Sequence, residues 1–401
     1  MILSREGSSR ATGYAEANKI VTVGERTHVA WLDSPAEGFR VRCRTLDRAT
    51  GRWSDVVTIG EAHDNHGGPA LTVDSKGFLH CVYAPHHHPF HYRCSARPND
   101  TSEWAEPLVR FGERCTYPTL LCGPDDTLYL TCRESAKSKP WTVNLYTKPV
   151  GKPWQGPRSI LVARKTGYSH FQEALAWGPD HHGLHLSARF YDGEKGHTVG
   201  YLRSLDFGKT WQRTDGTEVA LPAKAEDTTQ IVDGRAHDNP GLRCGSIAVD
   251  RDGVVYVLYS SLMEGESQLW LASSKRSDPW QHRLITEIPA GWQATMPGGV
   301  TVDEANHLTL VATIHKLAEP DEKQAWAHPT NEILRLESRD GGQTFQSRIV
   351  SEIDPETPHW LPSLERPTGF NRVTRPGIIY TAGTRATNNQ ELVANGVVWV
   401  Q

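Results

Sequence analysis

A short apolar strand, an Asp/Gly turn and a second apolar strand recur along the whole chain, and this recurrence constrains the fold more than any other feature. The pattern runs as NKIVTVGERTHVAWLD from Asn18, ALTVDSKGFLHCVY from Ala70, TLLCGPDDTLYLTCR from Thr119, ALAWGPDHHGLHLSAR from Ala174, SIAVDRDGVVYVLYS from Ser246 and GVTVDEANHLTLVAT from Gly299. A degenerate seventh copy, TGFNRVTRPGIIYTAGT, starts at Thr368. Successive copies start about 50 to 70 residues apart. After most of them comes another strand, then a turn that ends in an aromatic: Trp53, Trp104, Trp154, Trp211, Trp280 and Phe345. Ser204–Trp211 and Ser338–Phe345 match the S-x-D-x-G-x-T-W/F form of the Asp-box. In that turn Asp and Ser/Thr side chains hold the backbone, and the aromatic packs between neighbouring sheets. Four short strands per unit, repeated seven times, predict an all-β chain: a seven-bladed β-propeller of four-stranded antiparallel blades with Asp-box turns. No linker divides the sequence, so residues 1–401 are read as one domain.

Composition agrees with many strands and turns: 35 Gly, 25 Pro and 13 Trp stand beside only 37% hydrophobic residues. Helical periodicity is scarce. Its best stretch, Leu317–Trp326, carries a proline and reads as a loop, and the connections Lys224–Gly241 and Ala318–Thr330 read as rim loops. A net charge of -4 without a basic run argues against nucleic acid and anionic membrane as partners. The sequence also lacks an apolar stretch of transmembrane length and an N-terminal apolar leader, which fits a cytoplasmic protein, or a secreted or periplasmic one that has been trimmed. Seven cysteines without a CxxC pair read as buried thiols, with a Cys/His structural metal around Cys115–Cys132 as the lesser alternative.

The stretch Asp64–Ser95 reads as a hairpin turned at Asp74-Ser75-Lys76-Gly77. His66 precedes the turn by eight residues and His86 follows it by nine, so antiparallel pairing returns both imidazoles to one end. The next hairpin places Tyr117 and Arg133 alike. The unit of His66 and His86 also offers Asn65 and, a little further on, His91 and Tyr92; equivalent positions in the other copies add Tyr168, His170, Arg189, Tyr191, His237 and Asn239, with Trp292, His315, His359 and Trp360 further round. Blade geometry would gather these at one mouth of the central channel, as a cationic, aromatic-lined funnel suited to an anionic sugar. Of the 19 histidines, the run His86-His87-His88 also has a metal or a plain solvated-loop reading, and a lone His315 or His359 reads equally as a packing residue.

Two runs carry a family likeness. One is N-H-x-x-P, D-x-x-G-x-L-H and H-x-x-x-Y-R-x-S between Asn65 and Ser95; the other is T-Y-P followed by L-Y-x-x-x-R between Thr116 and Arg133. On these motifs the chain resembles the BNR-repeat propellers of the polysaccharide lyases, most closely the ulvan lyase type. The resemblance implies catalytic roles for His66, His86, Tyr117 and Arg133. An anionic polysaccharide is the expected partner, with Asn65, His91, Tyr92, Tyr168, His170, Arg189, Tyr191 and His237 of the funnel as substrate-binding candidates, and a monomer working without a cofactor is expected. β-Elimination at a 4-linked uronate needs a cation on the carboxylate, a base for C5–H and an acid for O4. Arg133 suits the carboxylate with help from His86, and His66 and Tyr117 suit base and acid, in either order. No metal is required, because Arg and His do the neutralising. Two rivals use the same scaffold: a sialidase-like hydrolase, whose early Arg-Ile-Pro motif is missing here, and a sugar-binding propeller without catalysis.

Overall fold

In the hairpin that follows His66, the strand Ala70–Val73 pairs antiparallel with Leu79–Tyr83, in a register from Ala70↔Val82 to Val73↔Leu79. Asp74 closes the turn: its Oδ1 accepts from the backbone N–H of Lys76 (3.0 Å) and Phe78 (2.8 Å). Gly77 sits there at φ 86°, a left-handed conformation that glycine adopts without steric cost. The same hairpin joins Ile20–Val23 to Arg26–Asp33, Val109–Cys122 to Leu128–Glu134 and Ala174–Trp177 to Leu184–Tyr191. It joins Arg243–Val249 to Val254–Met263 and Trp292–Val302 to Leu308–Lys316 as well. Six copies of the sequence pattern therefore fold as read. The computed structural model describes residues 1–191, 196–234, 241–263, 266–316, 326–354 and 356–401.

The seventh copy differs. Its ingoing strand is His359–Leu364, which pairs with Ile378–Ala382, and the stretch from Thr368 to Arg375 forms no strand. Pro367, Gly369 and Pro376 interrupt any ladder there. The backbone of this stretch bonds instead to other units: the Thr368 carbonyl accepts from Cys122 N–H (2.7 Å) and Phe370 N–H donates to Val73 (3.1 Å). A second difference lies in the Lys224–Gly241 connection, which contains the strand Thr229–Asp233. Most of Leu317–Trp326 lies outside the described residues.

The strands form five hydrogen-bonded sheets among the described residues, three of them four-stranded. The others are longer because meanders fuse. Val109–Cys122 pairs with His88–Arg97 through its first half and with Leu128–Glu134 through its second. Ile2–Gly7 pairs with the C-terminal strand Asn395–Val400 and touches Arg26–Asp33 through the single pair Gly7↔Asp33. The first strands of successive hairpins pack against one another in chain order, from Ile20–Val23 round to His359–Leu364. This is an all-β, propeller-like arrangement, and among the described residues the helical segments are short 3₁₀ turns such as Pro179–His181 and Ala225–Asp227.

Apolar clusters fill the spaces between sheets, and the turn aromatics belong to them: Trp211, Trp104 and Phe345 are buried, whereas Trp53, Trp154 and Trp280 are half-buried. At Ser204–Trp211, Asp206 Oδ1 accepts from Ser204 Oγ and from Thr210 N–H, each at 2.8 Å. Ser338–Phe345 repeats that network through Asp340, Thr344 and Ser338. All seven cysteines are free and all but Cys94 are buried. Among the described residues no helix is long and apolar enough to cross a membrane.

Candidate active site

Asp64, Asn65 and His66 precede the strand Ala70–Val73, and His86 follows its partner strand. Asp64 organises the group. Its Oδ1 accepts from the backbone N–H of His66 (2.8 Å) and lies 3.4 Å from His66 Nδ1; its Oδ2 lies 2.5 Å from His86 Nδ1. The two imidazoles stack at 3.9 Å between centroids. Burial alone would raise the Asp64 carboxyl, but the hydrogen bonds from both histidines hold it well below the usual carboxylate range. Burial pushes His66 down to about 3 against the pull of Asp64, and the Arg10 guanidinium lowers it further. His66 is therefore neutral at physiological pH. With Nδ1–H turned to Asp64, the Nε2 lone pair lies on the cavity side, where it meets the Arg10 guanidinium.

Tyr117 enters from the neighbouring hairpin at a β-bulge between the pairs Thr116↔Arg133 and Thr119↔Thr131. Its φ of 60° is unusual for a bulky residue, and Pro118, which has no N–H, needs no ladder partner there. Similar irregularities in the strands Arg243–Val249, Trp292–Val302 and His359–Leu364 bring Cys244, Pro297 and Leu361 to the same wall. The Tyr117 ring lies 6.3 Å from His66, 4.8 Å from Tyr14 and 4.9 Å from His170. Burial raises its phenol and Arg133 partly offsets this. These groups border a cavity of about 300 Å³, which Tyr168, Arg189, Tyr191, Arg243 and Trp326 also line.

The fold brings His66, His86, Tyr117 and Arg133 together, but not as equals. Arg133 is 1% exposed and lies behind Tyr117, its guanidinium 4.5 Å from that ring, 4.8 Å from Trp141 and 5.7 Å from Tyr168. A direct bidentate grip on a substrate carboxylate is not what this placement offers. Tyr168, His170, Arg189 and Tyr191 line the cavity, with Arg189 Nη2 2.9 Å from His170 Nδ1. Asn65 is buried and holds its neighbours, donating to Ser9 Oγ (3.0 Å) and accepting from Arg10 (3.2 Å).

His91 and Tyr92 are corrections. They lie on the third strand of their unit, where Tyr92 Oη meets His80 Nδ1 (2.8 Å) and packs on Trp154, and His91 packs on Tyr83. A third strand has moved one place outward from the axis, so neither residue borders the cavity. His359 pairs with Glu332 (2.9 Å) and His315 with Gln293 (2.7 Å); both are buried packing residues. His237 and Asn239 lie outside the described residues.

Sequence reasoning missed Asp64, Arg10, Tyr14, Gln172 and Trp326. Asp64 directly precedes the Asn65-His66 motif and was legible there as a carboxylate two residues from an imidazole. Arg10 and Tyr14 lie before the first repeat copy, so repeat phase carries no signal for them. Among the described residues, one group of ligand-type atoms converges within 4.8 Å: Asp64, His66 and His86. Cys115 and Cys132 are not part of it. These three donors fit a divalent transition metal by type, but Arg10 against His66 places a positive charge where a cation would sit. A larger recess of about 560 Å³ lies at the turn ends. Two of its carboxylates, Asp250 and Asp303, are already engaged by N–H groups of their own turns.

Fold and cavity together define the class: an all-β, propeller-like protein whose site is walled by imidazole, phenol and guanidinium groups. The chain belongs to the BNR repeat-containing family, whose profile matches residues 26–288. It is similar to the ulvan lyase-PL25 of Pseudoalteromonas sp. (strain PLSV), with 27% identity over 224 residues, 47% of this chain and 43% of that protein. It therefore aligns with less than half of that relative's length. The ulvan lyase of Alteromonas sp. (strain LOR) is 24% identical over 400 residues, covering 78% of this chain and 79% of that one. Among solved structures, a PL25 ulvan lyase bound to -[GlcA(1-4)Rha3S]- superposes with a TM-score of 0.74 at 14% identity, over 99% of this chain and 94% of that one. The polysaccharide lyase Uly1 superposes with a TM-score of 0.62 at 11% identity, over 99% and 96%.

Proposed function

We propose that this protein is a polysaccharide lyase that cleaves a uronate-containing polysaccharide of the ulvan type by β-elimination. One observation carries the reading: a neutral imidazole held by Asp64 faces the same small cavity as a protonated phenol backed by Arg133. His66 Nε2 takes the C5 proton, the C4–O4 bond breaks as C4=C5 forms, and the Tyr117 hydroxyl protonates O4. His86 completes the Asp64-centred pair, and Arg133 supplies positive charge behind Tyr117. Tyr168, His170, Arg189 and Tyr191 would contact the flanking sugars. The names of the two relatives support this choice of substrate.

We further read the strand pairing as seven four-stranded blades in one domain over residues 1–401. Ile2–Gly7 is then the outer strand of the last blade, and Ser204–Trp211 and Ser338–Phe345 are Asp-boxes. The chain would act on its anionic polymer as a monomer, and none of these steps needs a cofactor. The test is incubation with ulvan and other uronate polymers, followed by ultraviolet absorbance of the unsaturated uronate. His66→Ala and Tyr117→Phe should each lower that rate on the order of 10²-fold or more, with unchanged far-ultraviolet circular dichroism. New reducing ends without the chromophore would turn the reading to a hydrolase, and binding without cleavage to a lectin.

A further inference from the structure

We infer that Arg10, a residue outside the repeats, receives the uronate carboxylate and sets the sugar so that C5–H faces His66 Nε2, while Arg133 acts only through Tyr117. This rests on the lyase reading above. Arg10 lies between the strands Ile2–Gly7 and Ile20–Val23, where a local turn fixes it: its own N–H donates to Ser8 Oγ (3.2 Å) and its carbonyl accepts from Gly13 (3.1 Å). Its guanidinium borders the cavity, donates to Asn65 Oδ1 (3.2 Å) and lies 5.3 Å from the Trp326 ring and 6.0 Å from Tyr14. Cation–π contact and one amide thus hold a half-exposed cation in place. Among the described residues it pairs with no carboxylate.

The covalent geometry of a uronate makes the choice between arginines. The carboxylate carbon is bonded to C5, so whatever grips the carboxylate must stand beside the base that takes the C5 proton. Arg10 meets that condition: its Nη1 lies 3.0 Å from His66 Nδ1 and contacts Nε2 directly. Arg133 does not, since three aromatic rings surround its guanidinium, which donates to the Ser169 carbonyl (3.4 Å). Arg189 is engaged by the Leu242 carbonyl (2.9 Å) and His170.

The contact with Nε2 adds a consequence. Without substrate, Arg10 donates to the very lone pair that must accept the proton. A carboxylate is a far stronger acceptor than a neutral imidazole, so its arrival draws the guanidinium away and frees Nε2 toward C5–H. It also cancels the positive charge that opposes imidazolium formation, making His66 a better base once substrate is in place. The proton passes from C5 to Nε2, the C5–H electron pair forms C4=C5, and the C4–O4 pair leaves with O4, which takes the Tyr117 proton.

The experiment compares an ulvan oligosaccharide as free acid with its methyl ester, which lacks the charge but keeps the C5 proton. Elimination rate and calorimetric binding are both read. Arg10→Gln should lower kcat on the free acid on the order of 10²–10³-fold and weaken its binding, while the ester changes little, so the preference for the acid disappears. Arg133→Gln should slow both forms about equally and move the alkaline limb of the pH–rate profile upward. Wild-type turnover of the acid by Arg10→Gln, or an equal loss on both forms, would overturn the inference. If wild-type protein binds the acid in preference to the ester without cleaving either, the lyase reading falls. The carboxylate site then stands or falls with whether Arg10→Gln abolishes that preference.

Discussion

Asp64 is the residue on which both imidazoles depend, because each turns its Nδ1 toward a different oxygen of the same carboxylate. Asn in its place keeps an oxygen for the His66 backbone N–H and Nδ1–H, but it sets an amide donor against Nδ1 of His86 and removes the negative charge beside both rings. His86 then turns to its other tautomer, and the proton that His66 takes up is no longer stabilised by a carboxylate. Asp64→Asn should therefore lower kcat by something on the order of 10²–10⁴-fold, as loss of an orienting carboxylate does in other acid–base sites, with KM little changed. Steady-state kinetics on ulvan decide it, and a kcat within a few-fold of wild type would remove Asp64 from the mechanism. At this scale the sequence was informative where repeat phase applied: His66, His86, Tyr117 and Arg133 were found because two adjacent hairpins carry them alike. It was uninformative about depth. Thr116–Pro118 and Leu128–Arg133 do not say that the tyrosine ring will stand between the arginine and the cavity. His91 and Tyr92 follow His86 too closely in sequence to be recognised as belonging to the next strand outward.

Among the elements, the turns with a buried serine carry more than their length suggests. Ser204 Oγ accepts from Gly208 N–H (2.8 Å) while donating to Asp206 Oδ1 (2.8 Å), and Ser338 does the same for Gly342 (2.9 Å) and Asp340 (2.7 Å). Both serines are buried, so truncation leaves an N–H without its partner in a place water does not reach. Ser204→Ala and Ser338→Ala should each cost about 1–3 kcal/mol by chemical denaturation, with the elimination rate unaltered, since neither residue lines the cavity. A loss of activity without loss of stability would mean that these turns do something else. The hairpins themselves were readable because alternation and an Asp/Gly turn specify both strands and the register between them. The seventh was misplaced because Thr368–Arg375 offers the same letters, turn residues followed by apolar ones, while its backbone groups bond to Val73 and Cys122. Tertiary partners decided that segment, and they are invisible in a local pattern. The same holds for Thr229–Asp233, a strand hidden in what reads as a connection.

For the molecule as a whole, the first and last strands pair with each other, Ile2↔Val398 through Gly7↔Asn395, so packing and charge burial are shared round the arrangement. MILSREG resembles no repeat copy, and its place became evident only from its partner. One result of so much packing between sheets is a set of histidines kept neutral inside the fold. Burial pushes His28 down to about 4 and His185 to about 3; His28 bonds to Thr45 (2.8 Å) and Asn99 (2.7 Å), and His185 to Tyr201 (2.7 Å). An unfolded histidine takes up a proton near its ordinary value of about 6.5. As pH falls below that value the unfolded chain therefore binds protons that the folded chain does not, and stability declines progressively toward pH 4. Glu16 works in the opposite sense, because burial raises its carboxyl and the folded chain then binds the extra proton over an overlapping range. The informative measurement is thus a difference. His185→Asn keeps an acceptor or donor for the Tyr201 hydroxyl but does not titrate. Its unfolding free energy should fall less steeply than that of the wild type between pH 6.5 and 4, the gap reaching on the order of 3 kcal/mol at the acid end. Denaturant unfolding of both proteins at several pH values reads that gap directly. Parallel curves would mean that His185 is protonated in the folded state and that water reaches the space between those sheets.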